Sequence, residues 1–106
     1  MTAYLIVHRR DITDAEALKA YRDGIDATIS EYGGQVLARN DGFEVLEGNW
    51  DPGEPRNDDA PERVTVIEFP DMEKLKSWYD SDSYSSLKKI RKRSAVCDVV
   101  AVRGRS

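Results

Sequence analysis

The sequence predicts one α+β domain of ferredoxin-like topology, in which a four-stranded antiparallel sheet carries its helices on one face. Two observations support this prediction. Strand-like and helical segments follow one another in the order βαββαβ, and neither a linker nor an internal repeat divides the 106 residues. A chain of this length can bury one sizeable core, whereas two separate cores would each be marginal. We therefore expect residues 1–106 to form a single domain.

Four segments have the composition of strands. Residues 3–9 and 63–69 are apolar on both of their alternating faces, a pattern typical of strands that are covered on both sides of a sheet. Residues 35–39 and 95–102 supply the other two predicted strands.

The connection between the second and third strands is long and acidic. Residues 40–42 are expected to form a bulge or tight turn, after which residues 43–47 resume extended structure. The segment 51–62 combines several acids with prolines and a glycine. We expect this segment to be an exposed loop at the tip of a hairpin.

Two helical regions complete the pattern. Thr13 and Glu16 have the spacing of a capping box at the start of the first helix, and Gly33-Gly34 ends it. The second region begins after Asp71, is interrupted at 81–83 and then resumes. Both regions have apolar side chains at helical spacing. In the first these are Leu18, Tyr21, Ile25, Thr28, Ile29 and Tyr32, and in the second Met72, Leu75, Trp78, Tyr79, Tyr84, Leu87 and Ile90.

The predicted arrangement leaves one face of the sheet bare. Both helices cover the same face, yet the central strands are apolar on both faces, and no further chain is left to cover the second one. A second copy of the chain is the economical cover for such a face. The sequence therefore predicts a homodimer.

Composition excludes several classes of protein. The chain is 40% hydrophobic and 34% charged, as is ordinary for a folded cytoplasmic protein. No apolar run is long enough for a signal-peptide core or a membrane span, so we expect no membrane association and a cytoplasmic location. The single cysteine, Cys97, rules out an internal disulfide, and a small buried hydrophobe is the preferred interpretation of this residue.

Nucleic-acid, metal and cofactor sites have little support. The net charge is −4, and the basic run 88–93 lies at a predicted helix C-terminus, where the helix dipole favours cations. One histidine and one cysteine cannot supply an ordinary zinc site, and no glycine-rich phosphate-binding motif is present. We expect no nucleic-acid partner, no metal and no cofactor.

Four short motifs together resemble the family called domain of unknown function 1330. They lie in register along most of the chain, from about Tyr4 to Gly104. The motifs are Gly33-Gly34-Gln35-Val36-Leu37-Ala38-Arg39, Glu44-Val45-Leu46-Glu47-Gly48-Asn49-Trp50, Val66-Ile67-Glu68-Phe69-Pro70, and Trp78-Tyr79-Asp80-Ser81 with Tyr84. The resemblance implies the dimeric α/β-barrel superfamily, in which two ferredoxin-like sheets pack face to face around a central cavity. It implies no reaction, since relatives include cofactor-free monooxygenases, isomerases, haem-handling enzymes and non-catalytic binders.

Strand alternation gives candidate site residues. If the more uniformly apolar face meets the helices, Tyr4, His8, Arg39 and Glu68 point toward the cavity between two subunits. His8 and Glu68 are then candidate catalytic residues, and Tyr4, Arg39 and Glu68 are candidate ligand-binding residues. The structural alternatives are a buried ion pair between Arg39 and Glu68 and a solvated strand end for His8.

Two hypotheses on function remain open at this point. In the first, the dimer binds a small organic molecule in an inter-subunit cavity and could act as a cofactor-independent enzyme. In the second, it is a non-catalytic binding or interaction protein whose cavity is filled by its own side chains. The sequence alone does not decide whether the chain is an enzyme, nor what the acidic loop 51–62 does.

Overall fold

The computed structural model describes residues 1–39, 43–50 and 62–105. Its elements are β1 (Ala3–Ile12), α1 (Ala15–Glu31), β2 (Gln35–Ala38), β3 (Arg63–Phe69), α2 (Met72–Tyr79), α3 (Asp82–Ser94) and β4 (Ala95–Arg103). The four strands form one antiparallel sheet in the order β2-β3-β1-β4. The predicted ferredoxin-like α+β fold is confirmed.

The pleat of β1 separates two faces of the sheet. Leu5 is only 3% exposed and lies beside Ile67 of β3, whereas the neighbouring Ile6 is partly exposed and lies between Val66 and Val100. Successive side chains of a strand point to opposite faces. The face that contains Leu5 therefore packs against the helices, and the face that contains Ile6 is left without a helix.

Aromatic side chains fill the layer between the sheet and the helices. Trp78 of α2 is fully buried and stacks on Tyr84 of α3, with 4.1 Å between ring centroids. Its indole N–H donates to Thr28 Oγ1 at 3.0 Å, so the ring is buried without an unpaired donor. Phe69 of β3 packs against the same indole, 5.3 Å away. Burying a side chain such as Phe69 stabilises the fold by about 1.5–3 kcal/mol.

The ends of α1 are determined by local contacts. Asp14, not Thr13, is the N-cap, because its carboxylate accepts a hydrogen bond from the Ala17 amide at 3.1 Å. Thr13 instead donates to the Arg93 carbonyl oxygen, so the predicted capping box is wrong by one residue. At the other end Gly33 has a φ of +77°, the left-handed conformation expected of a glycine that follows a helix.

The region after β2 differs from the expectation. Strand β2 ends at Ala38, and residues 43–50 contain no strand, so the predicted return to extended structure at 43–47 is wrong. The predicted turn at 40–42 and all but Glu62 of the acidic loop lie outside the described residues.

The face of the sheet opposite the helices presents apolar side chains to solvent. Val100 and Val102 of β4 are 53% and 45% exposed, which is high for valines within a strand. Ile6 and Val66 beside them are only partly covered. We call this surface the open face. Within the part of the chain that the structure describes, no helix is long and apolar enough to cross a membrane.

Candidate functional site

A cavity of about 70 Å³ lies between the sheet and the helices. This volume is several times the roughly 10–15 Å³ that one water molecule needs. Leu5, Ile67 and Val99 form its sheet wall, and Ile25 and Trp78 are on the helix side. The cavity lies within one chain and faces the helices. The cavity expected between two subunits is a different space, on the opposite face of the sheet, and it stays a prediction.

The polar part of the cavity wall is strongly cationic. Five arginines line the cavity, and no described lining residue is an Asp or Glu. Three of them lie on a strand or directly after one (Arg9, Arg39 and Arg63), and two lie on helices (Arg22 and Arg91). A guanidinium group remains charged at any ordinary pH. The cavity therefore combines apolar side chains with five guanidinium groups.

Arg39 is held at the cavity by a helix. Its two terminal nitrogens donate to the two carboxylate oxygens of Asp26 in α1, at 2.7 and 3.0 Å. These hydrogen bonds hold the pKa of the Asp26 carboxyl below its ordinary value. Such a fork-to-fork pair fixes the orientation of both side chains.

Two tyrosines and Arg91 form a buried polar cluster at the helical side of the cavity. The hydroxyls of Tyr21 and Tyr84 lie 2.7 Å apart, and Arg91 interacts with the Tyr84 hydroxyl. Burial raises the pKa of Tyr21 well above its ordinary value, and Tyr84 adds to this effect. Burial also raises the pKa of Tyr84, although Tyr21 and Arg91 act in the opposite direction. Both phenols are therefore neutral hydrogen-bonding groups near pH 7.

Arg91 has one polar atom without a partner. The residue is 6% exposed, and its Nε is buried with no hydrogen-bond acceptor in the described part of the protein. An unsatisfied buried donor costs about 1–3 kcal/mol. Arg9, Arg22, Arg39 and Arg63 each have a further interaction within the protein.

The expected Arg39–Glu68 ion pair does not form, because the two residues lie on opposite faces of the sheet. Gln35 pairs with Glu68 and Val36 with Ile67, but the register then shifts, and Ala38 lies opposite Val66. This irregularity acts as a bulge and reverses the alternation of the residues that follow it. Arg39 is thereby turned to the helix side.

Tyr4 and Glu68 are cross-strand neighbours on the open face. They are directly paired between β1 and β3, and both are partly exposed. Neither lines the cavity. Their roles as ligand-binding residues, and that of Glu68 as a catalytic residue, remain predictions for a surface that a second subunit would cover.

His8 is buried and paired, so the alternative of a solvated strand end is wrong. The residue is 7% exposed, and its Nε2 lies 2.9 Å from Oε2 of Glu62. Its ring stacks on Trp50 with 3.7 Å between centroids, and Trp50 in turn contacts Phe43 edge-on. His8 does not line the cavity. The carboxylate that accompanies it is Glu62, and a catalytic role for His8 stays a prediction.

Sequence reasoning missed most of the arginines at the cavity, although one signal was present. Arg91 lies seven residues after Tyr84 and four after Leu87, which places it on the apolar stripe of α3. The helix dipole is the explanation that the sequence suggests for the whole basic run 88–93. Lys92 and Arg93 are exposed and fit that explanation, whereas Arg91 is buried. Cys97, expected to be a buried hydrophobe, is only half-buried and also lines the cavity.

No group of three or more metal-ligating side chains was found among residues 1–39, 43–50 and 62–105.

The family model for "Domain of unknown function (DUF1330)" matches residues 2–105, nearly the whole chain. The protein belongs to the DUF1330 family. This confirms the resemblance drawn from the four motifs. No curated protein matches the chain.

Solved structures share the fold of this DUF1330 protein at low sequence identity. A protein of unknown function from Rhodopseudomonas palustris has a TM-score of 0.66 and 16% identity, with 99% of this chain and 83% of that chain covered. SnoaB, a cofactor-independent oxygenase from Streptomyces nogalater, has a TM-score of 0.67 and 6% identity, with 99% and 94% covered. A putative antibiotic biosynthesis monooxygenase from Nitrosomonas europaea has a TM-score of 0.54 and 9% identity, with 97% and 89% covered. These likenesses support the ferredoxin-like fold, and at such identities they establish the fold alone.

Proposed function

We propose that this DUF1330 protein is a homodimer in which each chain binds a small organic molecule in the cavity between its sheet and its helices. The observation that carries the proposal is the cavity itself, whose lining combines apolar side chains with guanidinium groups. Ligand sites are typically concave and largely apolar, with a few polar groups that orient the ligand.

The cavity is larger than a packing defect. Protein interiors are packed about as densely as organic crystals, and few voids exceed the size of a water molecule. Here about 70 Å³ stays open beside side chains as large as Trp78 and Tyr84. This openness supports binding of an external molecule within one chain, whereas the second hypothesis concerns the space between two subunits and stays open.

The proposal stops at binding and names no reaction. SnoaB, which shares the fold, is a cofactor-independent oxygenase, and this makes a cofactor-independent reaction compatible with the architecture. At 6% identity, however, activity cannot be transferred from fold alone. The expected cytoplasmic location and the expected lack of nucleic-acid binding also stay predictions.

The homodimer is supported by the open face. Exposed valines on β4 adjoin the apolar residues Ile6 and Val66 to give a continuous apolar surface on a four-stranded sheet. Large apolar surfaces of this kind mark interaction sites. The fold is shared with proteins of the dimeric α/β-barrel kind, in which two such sheets face each other. A second copy leaves the cavity accessible, since the cavity lies on the other side of the sheet.

A thermal-shift screen with substitutions at Val7 tests the binding proposal. Val7 lies on β1 at the cavity wall. A molecule that binds the native cavity raises the melting temperature. We expect at least one compound in a library of small organic acids, amides and alcohols to stabilise the wild type. Val7→Ala should retain this effect, and Val7→Phe, which fills the space, should abolish it.

Near-ultraviolet circular dichroism of both variants provides the control for native packing. A full melting shift in a folded Val7→Phe variant would place the ligand elsewhere and contradict the proposal. A library in which no compound stabilises the wild type would contradict it as well.

A further inference from the structure

The segment that ends at Trp50 lies on the same side of the sheet as the proposed dimer interface. We infer that residues 43–50, here called the arm, form part of that interface, and that Leu46 packs against the second copy of the chain. This inference rests on the proposed homodimer and adds to it a contact outside the sheet.

The arm lies on the side of the open face. Val7 and Arg9 line the cavity on the helix side, so His8 between them points to the open face. Trp50 stacks on His8, with 3.7 Å between ring centroids and 16° between ring planes. Phe43 contacts Trp50 edge-on, with 6.1 Å between centroids. The first and last residues of the arm are therefore joined to each other and held on this side of the sheet.

The anchor of the arm is itself fixed. His8 is 7% exposed, and its Nε2 lies 2.9 Å from Oε2 of Glu62, within ordinary hydrogen-bond distance. The imidazole ring is thus oriented by the Glu62 carboxylate and covered by the indole of Trp50. Side-chain packing therefore determines where the arm lies on the sheet, although the arm contains no strand.

Leu46 in the middle of the arm is 93% exposed in the single chain, more than any other large apolar side chain among the described residues. One exposed leucine is ordinary on a protein surface, but this one belongs to a segment that adjoins an exposed apolar face. Val64 is paired directly with His8 and is followed on the same face by Val66. The apolar surface therefore continues from the anchor of the arm into the open face.

The size of the sheet argues that its interface needs an addition. Strands β1, β2, β3 and β4 contain 10, 4, 7 and 9 residues. Alternation places about half of them, or about 15, on the open face. A stable interface between two proteins uses about 20–30 residues on each side. The arm adds residues 43–50 on the same side and brings the available surface into that range.

A second copy of the chain is the partner that this combined surface fits. In a twofold dimer both subunits use the same patch, so an arm beside the patch of one chain meets the surface of the other. Burial of Leu46 there removes apolar surface from water, which favours association. The open face and the two arms then form one continuous interface.

Analytical ultracentrifugation of Leu46 variants measures the contribution of the arm. Leu46→Asp should raise the dissociation constant of the dimer at least about tenfold, because it would place an unpaired carboxylate in the interface. Leu46→Met keeps an apolar side chain of similar volume and should dimerise nearly as tightly as the wild type. Ser77→Asp adds the same charge at an exposed position of α2, on the helix side, and should leave the dissociation constant unchanged.

Nuclear Overhauser contacts between chains test the placement of Leu46 directly. In a dimer mixed from isotope-labelled and unlabelled wild-type chains, the methyl groups of Leu46 should show contacts to protons of the other chain. This measurement needs no variant, so it decides the matter even if Leu46→Asp fails to fold.

The outcomes separate the arm from the homodimer. A wild-type dimer in which Leu46 contacts only its own chain, or a Leu46→Asp dimer as tight as the wild type, would overturn the inference and leave the homodimer standing. Equal weakening by Ser77→Asp would also overturn it, because the effect of the charge would then not be local to the arm. A wild type that is a monomer at all concentrations would overturn both.

Discussion

The hydroxyl oxygens of Tyr21 and Tyr84 lie 2.7 Å apart and join α1 to α3 beside the cavity. Their rings meet edge to face, with 6.2 Å between centroids. Arg91, on the same helix as Tyr84, also interacts with the Tyr84 hydroxyl, so this hydroxyl has two polar neighbours. Tyr21 depends on Tyr84 alone for its hydrogen bond. This asymmetry leads to the first prediction.

Removing either hydroxyl should destabilise the protein, and Tyr84→Phe should cost more than Tyr21→Phe. Loss of one partner leaves a buried polar group unsatisfied, at a cost of about 1–3 kcal/mol. In Tyr21→Phe, the Tyr84 hydroxyl keeps its interaction with Arg91. In Tyr84→Phe, Tyr21 and Arg91 both lose the hydroxyl that they contact. Urea denaturation of the two variants and of the double variant measures the free energies of unfolding. A double variant that loses the sum of the two single losses would show that the hydroxyls are not coupled.

The same pair predicts how stability depends on alkaline pH. The folded pKa values of Tyr21 and Tyr84 are raised above the ordinary value of 10.0, chiefly by burial. Below the pKa that these tyrosines have in the unfolded chain, the two neutral phenols contribute their full stabilisation. This stabilisation is lost as the pH rises from that value through the higher pKa of the folded state. The free energy of unfolding should therefore fall above about pH 10, the ordinary value for tyrosine. The fall should be smaller in the Tyr21→Phe variant.

Absorbance at 295 nm follows the ionisation directly. In the folded protein Tyr21 and Tyr84 should ionise above the ordinary tyrosine pKa of 10.0, and Tyr21→Phe should reduce the absorbance change at that high pH. Ionisation of Tyr21 and Tyr84 near pH 10, while the protein stays folded, would contradict the burial of this pair.

Arg39 should be coupled to Asp26 and not to Glu68. A double-mutant cycle with Arg39→Met and Asp26→Asn should give a coupling free energy of about 0.2–1 kcal/mol, since the Asp26 side chain is 58% exposed. The cycle with Glu68→Gln should give none. Because the folded pKa of Asp26 is lowered, its contribution is present above the unfolded pKa and is lost as pH falls through the folded one. In Arg39→Met, NMR titration should show the Asp26 pKa rising toward its ordinary value.

A charge on the open face should dissociate the proposed homodimer. Val100 lies in the middle of β4, paired with Ile6 of β1, and is 53% exposed in the single chain. In a dimer that buries this face, Val100→Lys would bury an unpaired ammonium group, which is strongly unfavourable. Light scattering should show twice the chain mass for the wild type and the mass of one chain for the variant.

Ser86→Lys supplies the matched control for that experiment. Ser86 is exposed on α3, on the opposite side of the molecule from the open face, and the substitution should leave the dimer intact. A wild type that remains a monomer at all concentrations would refute the dimer. So would a Val100→Lys variant of unchanged dimer mass.

Much of the architecture could be derived from the sequence because it depends on local pattern. The apolar stripe of α1, the N-cap at Asp71 and the break at Ser81 place the helices where the structure has them. Apolar residues on both faces of β1 and β3 likewise indicated central strands and an uncovered apolar face. Helix periodicity, capping and strand alternation involve residues close in the chain, so one sequence suffices to detect them.

The site depended on relationships that are not local. The register shift between Val36 and Ala38 reverses the alternation of β2, and this reversal brings Arg39 to Asp26 and away from Glu68. A one-residue shift of this kind leaves no clear mark in composition, yet it transfers a charged side chain from one face of a sheet to the other. The sequence by itself therefore determined the elements, their order and the apolar character of both sheet faces. Only the tertiary structure decided that arginines from β1, β3, α1 and α3 converge on one cavity, because that convergence requires long-range packing of segments that are distant in the chain.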